Sequence, residues 1–235
     1  MNFFAITIYS LLVTSCLNEG EKTLVLIDEE KQESSWYKNF VTPEIEQSID
    51  SLGLKVYRGS KPPVITGYFR ADDYCTNSTI PNDGYVGRLI NNYKIHFFDQ
   101  DKLSVSMLAY QVATATDRWI STTEGAGTFV CGQGNDFTVF MEEISEEDVV
   151  TLGIYSGTLD KDANGAVRGI KDFQYALLMK DNKGLSSKIN NGEGRLFEDD
   201  YVPTITQSQF EYLINYSGAP ALSPVSKPAM KMDDK

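Results

Sequence analysis

Few side chains in this sequence could catalyse a reaction or bind a metal, and they are scattered along it. His96 is the single histidine, so a nucleophilic triad or a histidine-rich metal site would have to use this one imidazole. On a strand it would face away from Ile95 and Phe97, on the same side as Lys94. We therefore expect a surface or partly packed histidine, no catalytic residue and no metal site, and hence no enzymatic activity.

Two loops resemble ligand-binding motifs without completing them. Residues 160–165 (DKDANG) match the opening of an EF-hand loop, but its twelfth position holds Lys171 instead of the bidentate glutamate that calcium requires. We expect a hairpin turn there, in which Asn-Gly supplies the positive φ angles. The glycine-rich run 124–136 has no following helix and no Lys-Ser or Lys-Thr, so it is not expected to cradle a phosphate. Its glycines are typical of strand bulges, and no cofactor is expected.

Composition sets the class of protein and its plausible partners. The 235 residues are 41% hydrophobic and 23% charged, which is ordinary for one globular domain. A formal net charge of -12 opposes binding to phosphate backbones, because no basic stripe is present to release counterions. Nucleic acid is therefore not an expected partner.

The N-terminus has the pattern of an exported chain. An apolar run from Phe3 to Val13 is too short to anchor in a bilayer and is typical of a signal-peptide core. Residues 13–16 (VTSC) resemble the bacterial lipobox, although no Lys or Arg precedes Lys22. We predict a signal peptide over residues 1–15, lipidation of Cys16, and a lipid-attached tether over residues 16–41. The alternative is an N-terminal strand or helix with a chance cysteine.

The other two cysteines leave two interpretations open. If Cys16 carries lipid, Cys75 and Cys131 remain as one possible disulfide in an oxidising compartment. The alternative is two unrelated small buried residues, because the sequence cannot place their Cβ atoms within bonding distance.

Two short helices are predicted at the borders of the domain. Thr42 offers an N-cap and is followed by proline, apolar residues recur four and seven positions after Ile45, and Gly53 offers a left-handed C-cap. Near the other end, Thr206 and Gln209 have capping-box spacing ahead of an apolar stripe. We expect the first helix to pack against a sheet or to plug one end of a barrel, and the second to flank the barrel.

Between them the pattern changes to strands separated by Gly, Asn and Asp. Short turns favour antiparallel, up-and-down pairing, and about eight strands suffice for a closed barrel. The sequence therefore predicts an all-β, eight-stranded antiparallel barrel domain over residues 42–216 and a disordered tail over residues 217–235. The predicted strands are Val64–Ala71, Arg88–Phe98, Leu103–Thr114, Arg118–Cys131, Phe137–Glu143, Val149–Leu159, Val167–Met179 and Arg195–Ile205.

Aromatic residues are the remaining functional signal, with 13 Tyr, 12 Phe and 2 Trp. Small barrels are either filled by such side chains or hollow around a ligand. If the barrel is hollow, we expect a ligand-binding lining drawn from Tyr68, Tyr93, Phe97, Met107, Phe140, Tyr155, Phe173, Tyr175 and Met179.

Several motifs between Pro43 and Phe197 resemble a group of lipocalin-like lipoproteins from Bacteroidetes. They are residues 51–54 (SLGL), 62–69 (PPVITGYF), 132–140 (GQGNDFTVF), 156–159 (SGTL) and 169–173 (GIKDF). Residues Gly67-Tyr68 resemble the Gly-x-Trp opening of the first lipocalin strand, with the tryptophan absent. The resemblance implies a calycin-type barrel that binds a small hydrophobic or amphipathic molecule.

The expected function is therefore that of a non-enzymatic lipoprotein of the cell envelope. It would be tethered to the outer membrane, on its periplasmic or surface side, and would bind its small ligand inside the barrel. The alternative is a surface interaction module with a filled barrel, contacting a glycan or another envelope protein.

Overall fold

The computed structural model describes residues 19–112, 119–144 and 147–211. The predicted signal peptide, the lipidation residue Cys16 and the predicted tail from residue 217 onward lie outside this part of the chain. The helices are α1 (Glu19–Phe40), α2 (Pro43–Leu52) and α3 (207–211). The strands are β1 (Ser60–Lys61), β2 (Gly67–Ser78), β3 (Leu89–Asp101), β4 (Ser104–Val112), β5 (Trp119–Gln133), β6 (Asp136–Ile144), β7 (Val150–Lys161), β8 (Val167–Asp181) and β9 (Gly194–Pro203).

Strands β2 to β9 form a closed ring, which we call the barrel. Each strand pairs antiparallel with the next one in the sequence, and β9 closes the ring by pairing with β2. The eight predicted strands and their up-and-down order are confirmed, although the first strand begins three residues later and ends seven residues later than predicted. Residues 113, 114 and 118, which belong to two predicted strands, lie outside the described part of the chain. The two-residue β1, which pairs in parallel with the end of β5, was not predicted because two residues carry no periodicity.

Helix α2 forms with the predicted caps. The Thr42 hydroxyl accepts a hydrogen bond from the Ile45 amide at 3.3 Å, and Gly53 closes the helix at a φ of 78°. Such an N-cap contributes about 1 kcal/mol. Ile45, Ile49 and Leu52 are buried on one face of the helix, in a cluster with outward-facing residues of the barrel such as Leu196.

Helix α1 occupies the segment that we expected to be a tether. The sequence did not predict a helix here because the segment has no continuous apolar stripe. Trp36, Tyr37 and Phe40 of the helix pack in the cluster on the outer face of the barrel. The ring of Trp36 lies 5.7 Å from that of Phe129, and Tyr37 meets Phe140 edge-on at 5.6 Å. Among the helices of the described residues, none has the length and apolarity to cross a membrane.

Helix α3 begins with the predicted capping box. The Thr206 hydroxyl accepts a hydrogen bond from the Gln209 amide at 3.2 Å, and the Gln209 side chain accepts one from the Thr206 amide at 2.8 Å. Phe210 packs with Leu108 and Tyr110 on the outside of the barrel. The rest of the predicted stripe lies outside the described residues.

Two large apolar clusters lie on opposite faces of the same sheet. One draws residues from all eight barrel strands and is therefore the barrel interior. The other joins α1 and α2 to the outer face of β5 to β9. The strands approach one another closely at Gly132 and Gly157, where an added Cβ would lie 2.1 Å from the Asp136 carbonyl oxygen and 2.4 Å from Ile170. Only glycine fits there.

Candidate functional site

One end of the barrel, which we call the closed end, is where β2 begins and β3 ends. The Gln100 side chain fixes the segment before β2 over this end of the barrel. It donates a hydrogen bond to the Pro63 carbonyl at 2.9 Å and accepts one from the Ile65 amide at 2.8 Å. Ile65 is fully buried and belongs to the interior cluster. The segment before β2 thus plugs this end.

The interior next to the closed end is apolar. Phe69, Phe97 and Phe137 are all 0% exposed, and they form a chain of contacting rings with centroids 6.1 and 6.4 Å apart. Edge-to-face packing of this kind adds to the stabilisation that burial provides. These three rings, which we call the phenylalanine floor, offer no hydrogen-bonding side chain and therefore suit an apolar group.

The opposite end, which we call the far end, carries loops 79–88 and 182–193. A trio of tyrosines, Tyr93, Tyr155 and Tyr175, lies inside the barrel between the floor and this end. The hydroxyl of Tyr175 is hydrogen-bonded to those of the other two, and its ring stacks on Tyr155 at 4.5 Å and contacts Tyr93 at 5.4 Å. Burial raises the pKa of all three hydroxyls, so they remain neutral donors and acceptors.

Asp73 is the charged residue beside this trio. Strand β2 alternates strictly, with Phe69, Ala71, Asp73 and Cys75 buried and the residues between them exposed. Asp73 therefore points into the barrel, at a place where the pairing of β2 with β3 shifts register. Its negative charge contributes to the raised pKa of the Tyr93 and Tyr155 hydroxyls.

The carboxyl of Asp73 has an unusual environment. It is 1% exposed, and neither of its oxygens has a hydrogen-bond partner among the described residues. Burial raises its pKa well above the ordinary value of 3.8, and the nearby carboxyls of Asp199 and Asp72 raise it further. A buried polar group without a partner costs free energy, so Asp73 is a candidate for contact with a ligand.

The predicted ligand-binding residues divide between the two faces of the sheet. Six lie in or against the interior cluster: Tyr93, Phe97, Met107, Tyr155, Phe173 and Tyr175. Met179 is 6% exposed and follows Leu177 on the same face of β8.

The other two are corrected by the structure, because Tyr68 and Phe140 point outward. Tyr68 packs against α3, and Phe140 lies beneath α1. Helices cover part of the outer face, so an aromatic residue is buried on either side. The apolar character of a strand residue therefore does not reveal which way it points.

His96 lies on the outside of the barrel, partly packed, as expected. Its imidazole stacks on Tyr68 at 4.0 Å and on Phe98 at 4.8 Å, and Phe210 of α3 meets it edge-on. Burial lowers its pKa below 6.5, while Asp99 opposes this effect. The imidazole therefore acts as one ring of an aromatic cluster.

Cys75 and Cys131 are free thiols, so the possible disulfide is not formed. The two residues lie in different clusters, Cys75 in the interior and Cys131 beneath the helices. Burial raises the pKa of Cys131 to about 12, and its thiol donates to the Tyr57 carbonyl at 3.2 Å. Burial also raises the pKa of Cys75.

The EF-hand-like loop forms a hairpin turn, but of the predicted Asn-Gly pair only Gly165 adopts a positive φ. Asp162 accepts hydrogen bonds from the amides of Asn164 and Ala166, and Gly165 adopts a φ of 84°. The Asp160 carboxylate pairs with Lys171 at 2.7 Å and with Arg168 at 2.9 Å. The two carboxylates thus already serve the turn and an ion-pair cluster. Among the described residues no group of three or more His, Cys, Asp or Glu could hold a metal ion.

Two hollows of about 460 Å³ open to solvent, and both lie outside the barrel interior. One lies beside the closed end, next to Tyr68 and Ile205, and the other lies at the rim of the far end, next to Ile144 and Lys183. Neither hollow is lined by the tyrosine trio or by Asp73.

The chain was compared with protein-family models, with curated proteins and with solved structures, and none of these matches it.

Proposed function

We propose that this protein is a non-enzymatic barrel that binds a small amphipathic molecule in its interior. One observation carries the proposal, which is the division of the interior into an apolar phenylalanine floor and a polar region formed by the tyrosine trio and Asp73. An apolar tail directed toward the floor would leave a polar head beside the hydroxyls. Ligand pockets commonly combine an apolar lining with a few polar groups in this way.

The far end is the proposed entrance. The interior residues Tyr93 and Leu177, which lie toward this end, are only partly buried. Flexible or small side chains, Met141, Ala71 and Ala109, also lie in the interior cluster. Methionine adapts to ligands of different shape, and alanine leaves more room than larger side chains do.

We also propose that the protein is exported and lipid-anchored at Cys16, on the outer membrane of a bacterial cell envelope. The support is the N-terminal sequence pattern and the resemblance to lipocalin-like lipoproteins. The closed ring of eight antiparallel strands is compatible with that resemblance.

A second candidate function, a surface interaction module, is favoured by the outer rim of the far end. Tyr74, Tyr85, Val86 and Leu89 are 38–51% exposed, and Tyr74 pairs directly with Leu89. Exposed apolar residues close together are typical of contact surfaces. This rim could contact a glycan or another envelope protein without any ligand inside the barrel.

Binding of N-phenyl-1-naphthylamine, a neutral fluorophore that brightens in apolar surroundings, tests the interior proposal. We expect saturable binding that 1-dodecanol displaces. Ala71→Leu, which adds bulk to the interior, should weaken binding about tenfold or more. The matched control is Thr76→Leu on the exposed face of the same strand, which should bind like the unchanged protein. Absence of saturable binding, or equal weakening by both variants, contradicts the proposal and leaves the rim as the better candidate.

A further inference from the structure

The charged groups around Asp73 all carry the same sign of charge. The groups that act on the Asp73 carboxyl are the carboxyls of Asp199 on β9 and Asp72 on β2, and both disfavour its ionisation. Asp73 and Glu143, which lies near the end of β6, both raise the pKa of the Tyr93 and Tyr155 hydroxyls. No cation is among the groups that act on Asp73, within the part of the chain that the structure describes.

The chemistry of Asp73 determines which head group fits best. A carboxylate accepts hydrogen bonds and pairs with cations, whereas the neighbouring tyrosine hydroxyls both donate and accept. A carboxylate head group would add another negative charge beside Asp73, Asp72 and Asp199. A neutral hydroxyl would satisfy one hydrogen bond but would leave the ionised form of Asp73 disfavoured, whereas a cation beside it would favour ionisation and pair with the carboxylate.

We propose that the head group of the ligand is a cationic amine, which donates hydrogen bonds to the unpartnered Asp73 carboxyl and meets the hydroxyls of the tyrosine trio. This inference rests on the proposed function, since it names the class of ligand for the same interior site. An ammonium supplies three donors and a positive charge, which is what a buried carboxylate among other carboxylates lacks. The formal net charge of -12 also favours the approach of a cation from solution.

The test compares three probes of equal chain length, namely dodecylamine, 1-dodecanol and dodecanoic acid. Near neutral pH the amine is protonated, as a lysine side chain is, and the acid is ionised. Their affinities are measured on the full chain by calorimetric titration and by displacement of N-phenyl-1-naphthylamine. We expect the amine to bind about tenfold or more tightly than either of the others, the size expected for a hydrogen bond to a charged group.

Two variants connect the preference to one carboxyl. Asp73→Asn should remove the preference for the amine while retaining 1-dodecanol binding. Asp72→Asn is the matched control, because it removes the same charge from an adjacent residue whose side chain is 48% exposed. It should retain the preference, which separates direct contact from the general effect of net charge.

The possible results separate the two proposals. If the three probes bind the unchanged protein equally, or if Asp73→Asn retains the preference, the interior still binds amphiphiles but the amine assignment is wrong. If neither the fluorophore nor any dodecyl probe binds, the interior function itself fails, and this inference fails with it. The comparison of probes on the unchanged protein remains decisive even if a variant does not fold.

Discussion

Replacing Asp73 with asparagine keeps the size of a buried side chain and removes its ability to ionise. In the unfolded chain an aspartate loses its proton near pH 4. In the folded protein, burial and the carboxyls of Asp199 and Asp72 raise the pKa of Asp73 well above that range. Between the two titration ranges the folded state holds a proton that the unfolded state has released. The free energy of unfolding must therefore fall as the pH rises through this interval.

The size of the effect follows from proton linkage. One proton bound only in the folded state lowers the free energy of unfolding by about 1.4 kcal/mol per pH unit. Its contribution to stability is thus complete below the titration range of the unfolded chain and is lost as the pH rises through the folded pKa. Asp73→Asn lacks this proton. The difference in the free energy of unfolding, variant minus unchanged protein, should therefore increase with pH at the same rate over this interval.

Urea unfolding at several pH values from about 4 to 8 measures the slope, with circular dichroism and tryptophan fluorescence as two independent probes. The useful quantity is the difference between the variant and the unchanged protein, because the other titrating groups cancel in it. Asp72→Asn provides the control, since its side chain is 48% exposed and its ion pair with Arg70 is weak at 3.4 Å. Parallel pH profiles for Asp73→Asn and the unchanged protein would refute the assignment of a buried, unpartnered carboxyl.

Two further predictions concern other buried groups. Ellman's reagent should not modify Cys75 or Cys131 in the native protein, because both thiols are buried with raised pKa values. After denaturation without reductant both thiols should react with the reagent, whereas neither would react if they formed a disulfide. Asp83→Asn should cost about 1–3 kcal/mol near neutral pH, because its side chain is 3% exposed and hydrogen-bonded to Arg195. Burial alone would raise the pKa of Asp83, but its hydrogen bonds outweigh that effect and lower it. Its contribution is therefore lost as the pH falls, and urea unfolding should show the cost shrinking between about pH 7 and pH 3. A cost that does not change with pH would contradict this account.

The strands and helix caps were predictable because their signals are local. The capping residues Thr42, Gly53 and Thr206 act on amides and carbonyls within a few positions of themselves. The eight strands carry β-branched and aromatic residues between turn residues, and sequential pairing needs no long-range information. Helix α1 was missed because its burial depends on contacts with Phe129 and Phe140, which come much later in the sequence.

The candidate site was only partly predictable, because a side chain's function depends on the face of the sheet that it occupies. Tyr68 and Phe69 are adjacent aromatic residues, and both are packed, one against α3 and the other inside the barrel. The pair Asp72-Asp73 poses the same problem, since only the register of the strand shows which carboxyl is buried. A strand with apolar residues on both faces carries too little alternation to decide this.

The stability test and the amine test apply to the same carboxyl and predict opposite consequences of one substitution. Asp73→Asn should make the ligand-free protein increasingly stable relative to the unchanged protein as the pH rises above about 4, and should make it a poorer binder of amines. A carboxyl with only a structural role would not give this combination, because removing it would not impair the binding of one class of probe. A gain in stability without a change in amine binding would identify a structural defect at Asp73, whereas both changes together would identify stability given up for recognition.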